Sequence, residues 1–224
     1  MKRSDFNYGS VPGDGACFFH SVALILILEG QKKIKGNENS QEINKKRNKL
    51  AKKIRKDCVR WLERNLDYTI HQLGRTIGEE IQDEVDDCIQ RYTINPNDCR
   101  GNYKTIKEYL TYMKKPKSWA GQIEIYALSY NLGRSIRVFI DKGKGKLKNS
   151  GLGFMINSKP DILDDIHLFH NSGTKNSNEY HFDALFPRKK AKLLTEKLPR
   201  RNKTKRRTKG QKEKTKRRTK RRIK

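Results

Sequence analysis

A break in composition near residue 188 constrains the fold of this chain more than any other feature. Residues 188–224 hold 21 Lys and Arg against 2 Glu, a net +19 out of +27 for the whole chain. Their only apolar side chains are Ala191, Leu193, Leu194, Leu198 and Ile223. Such a stretch buries too little apolar surface to offset the entropy of ordering it. The core must therefore come from residues 1–187. The expected division is a folded domain over 1–187 and a disordered, basic, low-complexity tail over 188–224, in which Thr-Lys-Arg-Arg-Thr-Lys occurs twice.

Within the domain, the N-terminal piece to Pro12 reads as extended and runs into a Gly-Asp-Gly turn signal. Residues 17–28 (CFFHSVALILIL) carry no charge. Their place after a Gly-rich turn predicts a buried helix, and Ile25 and Ile27 leave a strand open. A polar loop is expected from Glu29 to about Ser40. The clearest amphipathic helix opens at Ser40, with Leu50, Ile54, Cys58, Trp61 and Leu62 at three- and four-residue steps. Further helices are predicted over 77–92 and 106–113, and from Trp119 to Leu132 with Ser118 as N-cap. Residues 135–140 (SIRVFI) read as a strand. Strands are also expected at 154–156, 166–169 and 179–185. Helices first and strands later predict an α+β fold.

The chemistry concentrates at two places, Gly13-Asp14-Gly15-Ala16-Cys17 and Tyr180-His181-Phe182-Asp183. Amide attack by sulfur needs a thiolate, a base that later protonates the leaving amine, and donors for the carbonyl oxygen. A Cys where a Gly-rich turn enters a helix meets amides and a dipole that favour its anion. A strand residue two positions beyond His181 shares its face, so Asp183 is a candidate to orient the ring. Taken alone, this pattern leaves open a structural Cys17 and a surface His181.

The residues also carry a resemblance. Residues 13–21, with Asp14, Gly15 and Cys17, resemble the nucleophile motif of the ovarian-tumour (OTU) cysteine proteases. Trp119-Ala120-Gly121-Gln122-Ile123-Glu124, followed by Ala127-Leu128-Ser129, resembles a second block of that family. Residues 180–183 resemble its terminal His-aromatic-Asp motif. The three blocks stand in family order and span roughly residues 8–187. The resemblance implies a papain-like OTU fold, a small β-sheet packed between helices. It implies a deubiquitinase that hydrolyses isopeptide bonds after the C-terminal Gly of ubiquitin or a ubiquitin-like modifier. It assigns Cys17 as nucleophile, His181 as general base and Asp183 as third triad member. By the same resemblance Asp14 would help shape an oxyanion hole made by the amides of Gly15, Ala16 and Cys17, and Trp119 would be a structural residue near the substrate channel. No cofactor or metal is implied, and a monomer is expected.

Several residues have simpler readings. His20, one turn after Cys17, is not placed to serve as the base. His167 and His170 on one strand point to opposite faces, which favours packing over a metal site. Asp14 is also a good turn former. Glu79, Glu80, Asp86 and Asp87 read as the solvated face of an acidic helix. Cys17, Cys58, Cys88 and Cys99 contain no Cys-x-x-Cys spacing, and three of them are expected to be ordinary thiols. The start MKRSDFNYGS shows no secretory pattern, and the apolar run 22–28 is shorter than the about 20 residues a bilayer needs. An intracellular location, nucleus or cytoplasm, is expected; the Lys-, Asn- and Ile-rich composition points to an AT-rich source, which would place the protein in a host cell. The tail fits non-specific nucleic-acid binding or nuclear targeting, and its lack of aromatics excludes base stacking. The competing reading is a nucleic-acid-binding or ubiquitin-reading protein on an inactive OTU-like scaffold.

Overall fold

A computed structural model describes residues 2–30, 40–95, 101–144, 146–156, 164–171 and 181–188. Most of the loop expected after Glu29, together with Tyr180, Cys99 and the basic tail beyond Arg188, lies outside the described residues. The segment 17–28 is helical. Helix α1 spans Cys17–Gly30 and is buried all round from Cys17 to Ile25. A strand there would have left His20 and Ser21 as mid-strand polar groups. In the helix Ser21 Oγ donates to the carbonyl of Phe182 at 2.9 Å. Helix α2 (Ser40–Arg64) packs Ala51, Ile54, Cys58, Val59 and Leu62 inward, with Leu50 and Trp61 at the margin.

Strands β2 (Thr69–Ile70) and β3 (Arg75–Thr76) form a two-residue hairpin that has no sequence signature. Helix α3 (Ile77–Ile94) starts on a reciprocal cap, with Glu79 N–H donating to Thr76 Oγ1 at 3.1 Å and Thr76 N–H donating to Glu79 Oε2 at 2.7 Å. Its buried face is Ile77, Ile81, Val85 and Cys88. Cys88 is disulfide-bonded rather than an ordinary thiol, whereas Cys17 and Cys58 are free. Helix α4 (Ile106–Met113) has the expected bounds. Helix α5 (Gln122–Leu132) starts later than expected. Ser118 does not cap it: its hydroxyl donates within the preceding turn, to Lys115 O at 2.9 Å. Gly121 takes the N-cap position, and its N–H donates to Glu124 Oε2 at 2.7 Å.

The strands β1 (Phe6–Gly9), β4 (Ile136–Asp141), β5 (Leu147–Phe154), β6 (Ile166–Asn171) and β7 (His181–Pro187) form one sheet in the order β1-β7-β6-β4-β5. Only the β4–β6 pair is parallel among these neighbours. Strand β5 begins well before the expected residue 154. Its first part, LKNSGLG, is polar and Gly-rich, and pairing with β4 draws it into the sheet. One sheet face lies under α1, through Val138, Leu168, Phe182 and Ala184. The other face holds a smaller cluster of Phe6, Phe139, Leu147, Phe169 and Leu185. His167 joins that second face, its ring stacked on Phe139 at 5.8 Å, and His170 lies against Phe182 at 4.8 Å. The architecture is the expected α+β arrangement, a sheet with its helices packed to one side and around α1.

Arg55 on α2 is the polar centre of this packing, only 4% exposed. Its guanidinium donates to Met113 O at 3.2 Å, to Ser118 O at 2.9 Å and to Ser118 Oγ. It also lies over the Phe19 ring, 4.3 Å from the centroid. One planar cation thus ties the turn between α4 and α5 to both α1 and α2. Arg55→Met keeps the bulk and removes the donors, leaving buried acceptors unmatched. It should cost about 2–4 kcal/mol, read as a lower urea midpoint at unchanged slope.

Burial, reinforced by the neighbouring His181, pushes the His170 imidazole below its ordinary value, and burial does the same to His20. In the unfolded chain both return to about 6.5. Below that pH the unfolded chain binds more protons than the folded one, so stability falls as pH falls. Melts at pH 7.5 and 5.5 should show this loss, and His170→Gln should lose less.

Candidate active site

Cys17 is the first residue of α1, and the loop ahead of it faces three ways. Gly13 lies beside His181: a Cβ there would stand 3.5 Å from Nδ1 and 3.9 Å from Cε1. Gly15 has φ +80, and a Cβ there would fall on the carbonyl oxygen of Lys117 and stand 3.2 Å from Trp119 Nε1. Between them, Asp14 Oδ1 accepts from the Ala16 N–H at 3.2 Å, closing the tight turn that its residue type favours. The three amides expected as oxyanion donors are therefore not equivalent. That of Ala16 is engaged by Asp14, while among the described residues no side chain accepts from those of Gly15 and Cys17. Asp14 also approaches His20 Nε2 at 3.8 Å. His20 thus stands beside the acidic side chain of the loop.

The Cys17 sulfur is buried, and burial pushes its thiol up. The backbone amides of Phe182 and Phe18 pull it down, the charge of Asp14 adds to the upward push, and its own amide pulls down again. Burial prevails, so the thiol is held above its ordinary value beside amides that favour its anion. The amides of Cys17 and Phe18 belong to the N-terminus of α1, where the sequence had placed them. The amide of Phe182 comes from β7, whose first residue is His181.

Strand β7 presents His181 and Asp183 on one face. His181 Nε2 lies 3.0 Å from Asp183 Oδ1. A carboxylate only accepts, so Nε2 carries the proton and Nδ1, the nitrogen turned toward Gly13, is left as the acceptor. Asp183 Oδ1 also accepts from the Val11 N–H at 3.2 Å. The backbone just after β1 thereby holds the carboxylate that holds the imidazole. Val11 was missed in the sequence because its contribution is an amide, which any residue but Pro would supply. The structure thus brings Cys17, Gly13, His181 and Asp183 to the seam between α1 and β7, with Asp14 on the other side of the loop.

Trp119 and Gly121 line a cleft of about 650 Å³ whose far wall is α3, with Glu80, Asp83, Glu84 and Asp87. The acidic helix face is therefore also a cleft wall. Among the described residues no group of three His, Cys, Asp or Glu could hold a metal ion, and no helix is long and apolar enough to cross a membrane.

Gly15 is the position where the loop tolerates least. Gly15→Ala combines a left-handed backbone, costly for a side chain by about 1–2 kcal/mol, with a collision against backbone that cannot swing away. It should lower the melting temperature and slow alkylation of Cys17, while Gly13→Ala, with 3.5 Å of room, should do neither to a comparable extent.

No curated protein sequence matches the chain. Among solved structures, the viral OTU domain protease of Dera Ghazi Khan virus is 17% identical over 83% of either chain, with a TM-score of 0.45. The Hazara virus OTU bound to ubiquitin is 19% identical over 83% of this chain and 84% of that one, with a TM-score of 0.40. An OTU deubiquitinase of Wolbachia pipientis bound to ubiquitin is 16% identical over 83% of this chain and 98% of that one, with a TM-score of 0.43. The family model for OTU-like cysteine proteases matches residues 12–172. The match starts at the nucleophile loop and stops before β7, so the pairing of His181 with Asp183 stands on the geometry alone. On a match covering most of its length, the chain belongs to the OTU-like cysteine protease family.

Proposed function

We propose that this protein is a cysteine-dependent deubiquitinase that cleaves the isopeptide bond after the C-terminal Gly of ubiquitin or a ubiquitin-like modifier. The observation that carries the reading is the relay from Val11 N–H to Asp183 to His181, which ends at the Nδ1 turned toward the nucleophile loop. Family membership supplies the reaction class, and the three sequence blocks supply the substrate class.

In this mechanism Nδ1 of His181 takes the Cys17 proton as the sulfur attacks the carbonyl carbon. The amides around the sulfur stabilise the charge on the way. The oxyanion is received by the amides of Gly15 and Cys17; that of Ala16 joins only if it leaves Asp14. The imidazolium, held by Asp183, returns its proton to the lysine amine, which departs and leaves a thioester on Cys17. Water then attacks the thioester, His181 accepts its proton, and the modifier leaves with a free carboxylate.

Ubiquitin carrying a C-terminal electrophile should form an adduct with the protein, and Cys17→Ala should form none while keeping its circular dichroism. No adduct with a folded wild type would sink the ubiquitin assignment. His181→Ala should lower kcat/KM by about 10²–10⁴-fold on a fluorogenic ubiquitin substrate. Asp183→Ala should cost about as much, since it frees the ring. Asp183→Asn should keep activity within about tenfold of the wild type, because its amide oxygen still accepts from both Val11 and His181.

A further inference from the structure

A second cavity, of about 670 Å³, lies against the outer side of the nucleophile loop. Its walls are the start of α1, one face of α2 and the turn at 114–117. Six of its side chains are cationic against two acidic ones, Asp14 and Glu63. Lys52, Lys56 and Arg60 fall at successive four-residue steps on α2, a row of like charges that disfavours the bare helix. Neighbouring acids relieve only part of it. Glu63 pairs with Lys114 at 2.5 Å, and Asp57 with Arg60 at 3.4 Å and Lys53 at 2.7 Å. Lys52, Lys56 and Lys117 have no acidic partner among the described residues. In the same wall stands His20, 8% exposed, whose Nδ1 has no hydrogen-bond partner among the described residues. That nitrogen is itself shut off from the cavity, so the groups the site offers a ligand are its lysines.

We propose that this cavity binds a small anion bearing a chain of phosphate groups. The volume is that of a small-molecule site rather than of a protein groove. The free cations are lysines, which bind phosphate as movable point charges. Of the two guanidinium groups in the lining, Arg55 already donates to Met113 and Ser118 and Arg60 pairs with Asp57 at 3.4 Å, which leaves the lysines as the free cations. The site touches the catalytic loop directly, because Asp14 and Ala16 line it. Occupancy sets a negative group near Asp14, whose oxygen holds the Ala16 amide, and so couples the anion to the loop that carries the nucleophile. This assignment is independent of the modifier that the enzyme cleaves.

The test is the thermal melt of the full chain with inorganic tripolyphosphate, at ionic strength matched with NaCl. At about 100 times the dissociation constant the wild type should gain about 5–10 °C. The triple variant Lys52→Ala, Lys56→Ala, Lys117→Ala should gain little. The corresponding triple Arg variant should keep the gain, which also covers the case in which the Ala variant folds poorly. ATP beside tripolyphosphate separates the two sources: equal gains assign recognition to the phosphates alone, and a larger gain for ATP adds the nucleoside. Equal gains in wild type and Ala variant would place binding elsewhere, for instance on residues 188–224, and overturn the proposal. A gain reproduced by NaCl alone, no gain at all, or a gain with hexaglutamate but not with tripolyphosphate would overturn it as well.

Discussion

One guanidinium, shut away from water, sets the shape of the catalytic end of this protein. Arg55 cannot lose its charge, and its burial is tolerable only because carbonyls, a hydroxyl and an aromatic face surround it. Those partners come from the turn after α4 and from α1. The turn is therefore fixed relative to both helices before the nucleophile loop is considered. Gly15 then rests on the Lys117 carbonyl, in a conformation that a side chain would spoil. The route runs from α2 through Arg55 to the turn, from the turn to Gly15, and from Gly15 to Cys17. The loop that carries Cys17 owes its position to a helix that lends it no side chain other than Arg55.

A second anchoring works from the other side. Asp183 is fastened to the backbone at Val11, and His181 to Asp183. Strand β1 pairs with β7 next to these residues, Gly9 opposite Ala184, so sheet formation and imidazole orientation are one event. Phe182, between the two, turns inward against Phe18 at 5.6 Å. Alternation along a strand does the rest: one residue packs the core while its two neighbours face the reaction.

The sequence made legible what depends on residue type at fixed spacing. The Gly-Asp-Gly turn, the helix at Cys17 and the two-residue step from His181 to Asp183 were all visible in it. So were the bounds of α4, where Thr105 caps with a hydroxyl. Features set by tertiary pairing stayed hidden. The Gly-rich first half of β5 is a strand because β4 lies beside it. Ser118 looked like a cap but serves Arg55 instead, which moves the start of α5 to Gly121. Arg55 itself reads as one more cation on a Lys- and Arg-rich helix. Only the fold shows that it lies on the same buried side as Ile54 and Cys58. The acidic face of α3 was read as merely solvated because nothing local to it reveals that Trp119 stands across a cleft.

The burial of Cys17 has a consequence for the lifetime of the protein. Peroxide attacks thiolates, and the damage then climbs from sulfenic to irreversible acids. Burial that pushes the Cys17 thiol up leaves less of it as thiolate for an oxidant to attack. The packing that orders the start of α1 thus also shelters its sulfur from chemical damage.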